Sequence, residues 1–159
     1  MVSTLTIEVS NHYPRLEFEE KRLKDFFEVI FSLHRHNSCG VLSVVFLERE
    51  HHSQIHGEFL KDFRPTDVIT FPADETNDMA GEICVSVDQA IEESNRLKVS
   101  LQEELSLYLI HGWLHLLGFD DIEEEDRKIM RREESRVMDL IGQSKAWPDF
   151  LLASDPSSE

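Results

Sequence analysis

The chain has 159 residues, of which 40 % are hydrophobic, and this composition is ordinary for a single globular domain. We predict one domain over residues 1–142 and a loosely ordered tail over 143–159. The formal net charge of −16 repels nucleic acid at long range, so nucleic-acid binding would require a local basic patch. No run approaches the about 20 apolar residues that cross a bilayer, and a secretory signal is missing, so we expect a cytoplasmic protein without a membrane partner.

The first part of the chain alternates between strand and helix patterns. Residues 4–9 alternate as in a strand, and residues 16–33 place apolar side chains at helical spacing. The β-branched run over 41–47 predicts a buried strand. Residues 52–60 predict a short helix with Ser53 as its N-cap.

The middle of the chain predicts two strands and a helix. The strands cover 67–71 and 82–87, with a polar loop over 74–80 between them. Asp88 follows the second strand and is suited to cap a helix over 89–97.

Two longer helices follow. The first begins at Ser100, which forms a capping box with Glu103, and ends at Gly118. The second is amphipathic, covers about 122–141 and ends at Gly142. The element order predicts an α+β fold of mixed α/β layers, with one small mixed four-stranded sheet packed against about five helices.

The end of the first long helix carries a histidine pair. His111 and His115 are four residues apart, so their rings lie on one helix face and can bind one metal ion. Gly118 permits the turn that ends the helix, and Asp121 can then return its carboxylate to the same ion. Three protein ligands leave a position open for water, which is typical of catalytic zinc sites. We therefore predict a zincin-like metal helix with one zinc ion per chain.

Two alternatives concern this motif. Asp121 could instead cap the next helix together with Glu124, although Asp120 could take that role. The spacing also occurs in metzincin peptidases, which carry a glutamate base directly after the first histidine. That position is Gly112 here, and glycine cannot transfer a proton.

The segment H-G-W-L-H-L-L-G-F-D-D over 111–121 resembles the signature H-G-x-L-H-L-x-G-[YF]-D-H of the YbeY family of bacterial endoribonucleases. Ten of eleven positions fit, and the departure is Asp121 in place of histidine. The segments PTDVITFP over 65–72 and GEICVS over 81–86 are similar to two further family blocks, PTDVLSFP and G-D-I-x-I-S. The resemblance covers roughly residues 40–141.

This resemblance implies a zinc-dependent endoribonuclease that acts on single-stranded ribosomal RNA, chiefly at the 3′ end of the small-subunit RNA. The family commonly has an arginine where this chain has Leu60, so its contact with RNA phosphate either passes to Lys61 or Arg64 or is lost. Arg64, Thr66 and Asp67 are implied to face the metal from the edge of the strand, although Thr66 and Asp67 could equally stabilise a local turn.

Two other functional hypotheses stay open at this point. The first is a non-enzymatic ribosome-assembly factor with a structural metal, which binds a ribosomal protein or an assembly GTPase through its acidic surface. The second is a zincin-type metallopeptidase, which the glycine at position 112 disfavours. For the remaining chemistry-bearing residues we expect buried thiols at Cys39 and Cys84 and surface histidines at positions 34, 36, 51, 52 and 56.

Overall fold

The computed structural model describes residues 4–35, 38–60 and 66–154 of the chain. Within these ranges it contains six strands, five α-helices and a short 3-10 turn at Glu75–Asn77. The strands are β1 (Leu5–Asn11), β2 (Leu16–Glu17), β3 (Gly40–Leu47), β4 (Val68–Phe71), β5 (Met79–Ser86) and β6 (Leu151–Leu152), and the helices are α1 (Glu20–Leu33), α2 (Arg49–Leu60), α3 (Val87–Leu97), α4 (Leu101–Leu116) and α5 (Glu124–Ser144).

Four of these strands form one mixed sheet in the order β1-β3-β5-β4. Strands β1, β3 and β5 run parallel, and β4 pairs antiparallel with β5. Along β3, Leu42, Val44 and Phe46 are fully buried on one face because successive side chains of a strand point to opposite sides. The predicted fold class, a small mixed four-stranded sheet packed with five helices, is confirmed.

Helix α4 is the central helix of the fold. It contacts β4 and β5 on one side and the helices α3 and α5 on the others. Its predicted cap is present, because Ser100 Oγ accepts a hydrogen bond from the backbone N–H of Glu103 at 3.0 Å. Trp113 is fully buried, and its Nε1–H donates to the carbonyl of His34 at 2.8 Å. This hydrogen bond fixes the C-terminal half of α4 against the residue that follows α1.

Helices α2 and α3 begin earlier in the chain than predicted. Helix α2 begins at Arg49, so Ser53 lies inside it and is not the cap. Helix α3 is capped by Ser86, whose Oγ accepts from the N–H of Gln89 at 3.2 Å. The predicted cap, Asp88, is engaged elsewhere: its carboxylate accepts hydrogen bonds from Tyr13 Oη and from the backbone N–H of Arg49.

The described part of the predicted tail, residues 143–154, contains the end of α5 and the short strand β6. Helix α5 continues to Ser144, and β6 then pairs antiparallel with β2, which occupies the start of the predicted helix over 16–33. Phe150 is only 4 % exposed and contacts the rings of Phe18 and Phe46. This burial of an aromatic side chain fixes the segment up to β6 on the core.

Three residues differ in burial from what the sequence predicts: His34, His52 and Cys39. His34 is buried and its Nε2 lies 2.8 Å from Glu133 Oε2, while His52 is fully buried and bonded to the carbonyl of Cys84. Cys84 is buried as expected, but Cys39 is exposed. Among the described residues, no helix is both long and apolar enough to cross a membrane.

Candidate metal centre

The histidine pair lies at the C-terminal end of α4. The rings of His111 and His115 stack with their centroids 6.1 Å apart and their planes 10° from parallel, as the four-residue spacing predicts. The helix ends at Leu116, and Gly118 has a φ of +104°, a conformation that side-chain-bearing residues rarely adopt. This turn brings the next residues back toward the histidines.

Two aspartates follow the turn and complete a cluster of atoms that could bind a metal ion. One ligand atom each from His115, Asp120 and Asp121 lies within 4.8 Å of the others. His111 Nε2 is 3.4 Å from Asp121 Oδ2, so His111 also borders this cluster. The cluster therefore contains two of the three predicted ligands, His115 and Asp121, together with Asp120, and the third, His111, lies beside it in contact with Asp121.

The helix-cap alternative for these aspartates does not match the structure. The N-cap of α5 is Glu123, and no side chain forms a cap hydrogen bond there. Asp120 Oδ1 instead accepts the backbone N–H groups of Asp121 and Ile122, at 2.7 and 3.3 Å, and so closes the turn. The carboxylate of Asp121 does not act as a cap, so it can bind a metal ion.

The two imidazole rings have different partners at Nδ1. His115 Nδ1 lies 2.9 Å from the carbonyl oxygen of Phe119, which can only accept a hydrogen bond, so this nitrogen carries the proton. His111 Nδ1 lies 3.5 Å from Glu134 Oε2 on α5. The contact with Glu134 raises the pKa of His111, and burial of the ring offsets part of this increase.

Comparison with known proteins assigns the chain to a family. Residues 8–142 match the family model described as Endoribonuclease YbeY. The chain belongs to the YbeY family.

Curated relatives agree with this assignment, and a solved structure shares the fold. The Endoribonuclease YbeY of Carboxydothermus hydrogenoformans is 28 % identical over 138 residues, which cover 85 % of this chain and 96 % of the relative. That of Protochlamydia amoebophila is 33 % identical over 136 residues, covering 83 % and 90 %. The solution structure of TM1509 from Thermotoga maritima has the same fold, with a TM-score of 0.61, 24 % identity, and coverage of 98 % of this chain and 96 % of that one.

Thr66 and Asp67, which were also predicted for the site, directly precede β4. Asp67 Oδ1 accepts the backbone N–H of Val68 at 2.8 Å and lies 3.4 Å from Thr66 Oγ1, as the local-turn interpretation expects. The charge of Asp67 also contributes to the raised pKa of His111, after the larger contribution of Glu134. Lys61 and Arg64 lie outside the described residues.

Two acidic residues beside the candidate metal centre were not predicted from the sequence as part of it. Asp120 was considered only as a cap, although it stands directly beside a predicted ligand. Glu134 was not considered at all. Its signal was available, because it falls between Met130, Val137 and Ile141 on the buried stripe of α5, where an apolar residue is expected.

Proposed function

We propose that this chain is a zinc-dependent endoribonuclease that cleaves single-stranded ribosomal RNA during maturation of the 3′ end of the small-subunit RNA. The observation that carries the proposal is the group of imidazole and carboxylate ligand atoms at the end of α4. Membership of the YbeY family supports the endoribonuclease activity. A ribosomal RNA substrate implies a reaction in the cytoplasm.

The chemistry of the donor atoms fits zinc. Imidazole nitrogen and carboxylate oxygen are both common zinc ligands, and thiolate is not required. In this proposal His111, His115 and Asp121 hold one zinc ion, while Asp120 keeps the turn closed through its bonds to backbone N–H groups. When bound, zinc polarises a phosphoryl oxygen and lowers the pKa of a water toward about 7.

The surrounding residues would bind and orient the RNA. Lys61 and Arg64 are proposed to contact phosphate oxygens and to stabilise the negative charge that develops during cleavage. Thr66 and Asp67 are proposed to face the scissile phosphate from the start of β4. Asp67 is proposed as the group that accepts the proton of the attacking hydroxyl.

The direction in which position 112 points, into the sheet, argues against a peptidase function. Gly112 is buried, and a Cβ atom there would lie 2.9 Å from Ile83 Cγ2 and 3.3 Å from Val68 Cγ2. The residue that carries the base in metzincins thus points into the sheet in this chain and away from the histidine face.

A cleavage assay with matched substrates tests the proposal. Purified, tag-free protein is incubated with a single-stranded RNA that contains the small-subunit 3′ end and with the same RNA annealed to its complement. We expect cleavage of the single strand only, its loss after chelation, and its return with about one equivalent of zinc. Cleavage that survives complete removal of metal would contradict the metal-dependent mechanism.

The acidic character of the chain predicts the path of the RNA. Residues 71–126 carry 2 basic and 15 acidic side chains, so this part of the surface repels phosphate. Basic residues are available at Lys61 and Arg64 and again on α5, where Arg127 and Lys128 follow the ligand turn. Arg127 Nη1 donates to the carbonyl of Ile122 at 3.2 Å, which places its charge directly beside that turn.

Charge reversal distinguishes these two basic segments. We expect K61E together with R64E to abolish cleavage of single-stranded RNA while zinc content stays unchanged. We expect R127E together with K128E to weaken RNA binding to a smaller extent. Binding by the wild type should fall with salt along a shallow slope, because few phosphates are neutralised. Normal cleavage by the K61E/R64E protein across salt concentrations would show that RNA takes another path.

A further inference from the structure

The carboxylate of Glu134 occupies an unusual place on α5. The helix buries Met130, Val137 and Ile141 against the core, and Glu134 lies on the same stripe with its side chain only 13 % exposed. A carboxylate in such a place costs free energy unless a partner compensates for the lost water. Its contact among the described residues is His111, whose Nδ1 lies 3.5 Å from Glu134 Oε2.

We propose that Glu134 is a positioning residue that fixes the tautomer and the orientation of the metal-binding ring of His111. The carboxylate can only accept a hydrogen bond, so it favours a proton on Nδ1 and leaves the lone pair on Nε2. Nε2 is the atom that faces the aspartate cluster, 3.4 Å from Asp121 Oδ2. Glu134 therefore acts at the opposite edge of the ring and is not itself a ligand. The inference rests on the proposed metal centre.

The ring of His115 is also held at Nδ1, but by a backbone group. His115 is oriented at Nδ1 by the backbone carbonyl of Phe119, which no substitution of a side chain removes. For His111 the corresponding acceptor is a side chain from another helix. Partners of this kind hold metal-binding histidines in place and increase the basicity of the ring, and their loss typically weakens metal binding about 10- to 100-fold.

A neighbouring glutamate provides a matched control. Glu133 is 17 % exposed on the same helix, and its Oε2 lies 2.8 Å from His34 Nε2, so it too joins α5 to a buried histidine. His34 is not part of the metal centre. E133A therefore removes a comparable contact between helices without touching a ligand.

The experiment measures zinc affinity and the tautomer of His111 separately. Zinc dissociation constants come from competition with a chelator of known affinity. The tautomer comes from ¹⁵N NMR of the imidazole nitrogens in zinc-free protein that carries Asp121→Ala, which removes the competing acceptor at Nε2, at a pH where the same spectra show a neutral His111 ring. We expect E134A to weaken zinc binding about 10- to 100-fold and to shift His111 away from the Nδ1–H form.

Further variants distinguish a positioning role of Glu134 from a role in packing alone. E134Q keeps an acceptor oxygen but adds an amide donor, so it should hold the Nδ1–H form less strictly than the wild type and lose less zinc affinity than E134A. E133A should lower the thermal midpoint and leave both the zinc affinity and the His111 tautomer unchanged. If E134A is too unstable to study, E134L fills a similar volume on the apolar stripe without an acceptor, and unchanged zinc affinity and tautomer in E134L would contradict the proposal.

The possible failures of the two proposals differ. Wild-type zinc binding combined with unchanged affinity and tautomer in E134A would overturn the role of Glu134 and leave the metal centre intact. A wild-type protein that binds no transition metal would overturn the metal centre. The NMR comparison would then still show whether Glu134 sets the tautomer of His111.

Discussion

Replacement of His115 by alanine is expected to remove zinc binding and RNA cleavage together while the fold is retained. The side chain of His115 is exposed, and its contacts are the carbonyl of Phe119 and the stacked ring of His111. Loss of one ligand of three removes several kcal/mol of stabilisation from the transition state, which corresponds to at least about a 1000-fold loss of rate. The free energy of unfolding of the zinc-free protein should change by less than about 1 kcal/mol.

The measurements are zinc content by elemental analysis, cleavage of single-stranded RNA and denaturant unfolding. His51→Ala is a suitable control, because His51 is an exposed histidine on α2 whose ring neighbour is His12. That variant should retain both zinc and activity. Normal cleavage by the His115→Ala protein would show that this cluster is not the catalytic centre. Global unfolding of that variant by circular dichroism would indicate a structural metal and favour an assembly-factor function.

Introduction of a glutamate at position 112, which recreates the metzincin motif, is expected to destabilise the protein and not to produce a peptidase. Even a Cβ atom at Gly112 would lie 2.9 Å from a methyl group of Ile83, a β-branched residue with little freedom to move. The carboxylate would then be buried between α4 and the sheet. Replacing a helical glycine gains about 1 kcal/mol, but overpacking and burial of an unpaired charge cost more, so we expect a net loss of at least about 3 kcal/mol.

Denaturant unfolding measures this loss, and Gly142→Glu is its matched control. Gly142 is an exposed residue inside α5, and a Cβ atom there meets only the edge of the Trp147 ring, at 3.9 Å. The same substitution at this position should leave stability unchanged or raise it by up to about 1 kcal/mol. A Gly112→Glu protein as stable as the wild type, or one that cleaves peptides, would contradict our account of this helix face.

The parts of the fold that depend on nearby residues could be predicted from the sequence. The cap at Ser100, the histidine spacing on α4 and the turn at Gly118 are set by contacts within a few residues, and all three are present. The cap of α3 shows the opposite case. Asp88 looks like a cap by its position, but Tyr13 and Arg49 bind its carboxylate from distant parts of the chain, so Ser86 caps the helix.

Pairing over long sequence distances explains the other differences. Leu16 and Leu152 are partners in the small second sheet, and no local pattern indicates that residues so far apart will meet. In the candidate site, the family motif indicates His111 and His115 because they belong to one helix turn. The contact of His111 with Glu134 depends on how α4 and α5 pack, although the burial pattern of α5 marks Glu134 as an exception.

The proposed ligands all come from the eleven consecutive residues 111–121, and this has a consequence for thermodynamic linkage. A ligand stabilises a native state only by as much as it prefers that state over the unfolded ensemble. One helix end and one tight turn are enough to bring these side chains together, and closing so short a loop costs little entropy. A partly unfolded chain that keeps this segment would therefore retain some affinity for zinc, and the metal would raise the melting temperature by less than its native-state affinity implies.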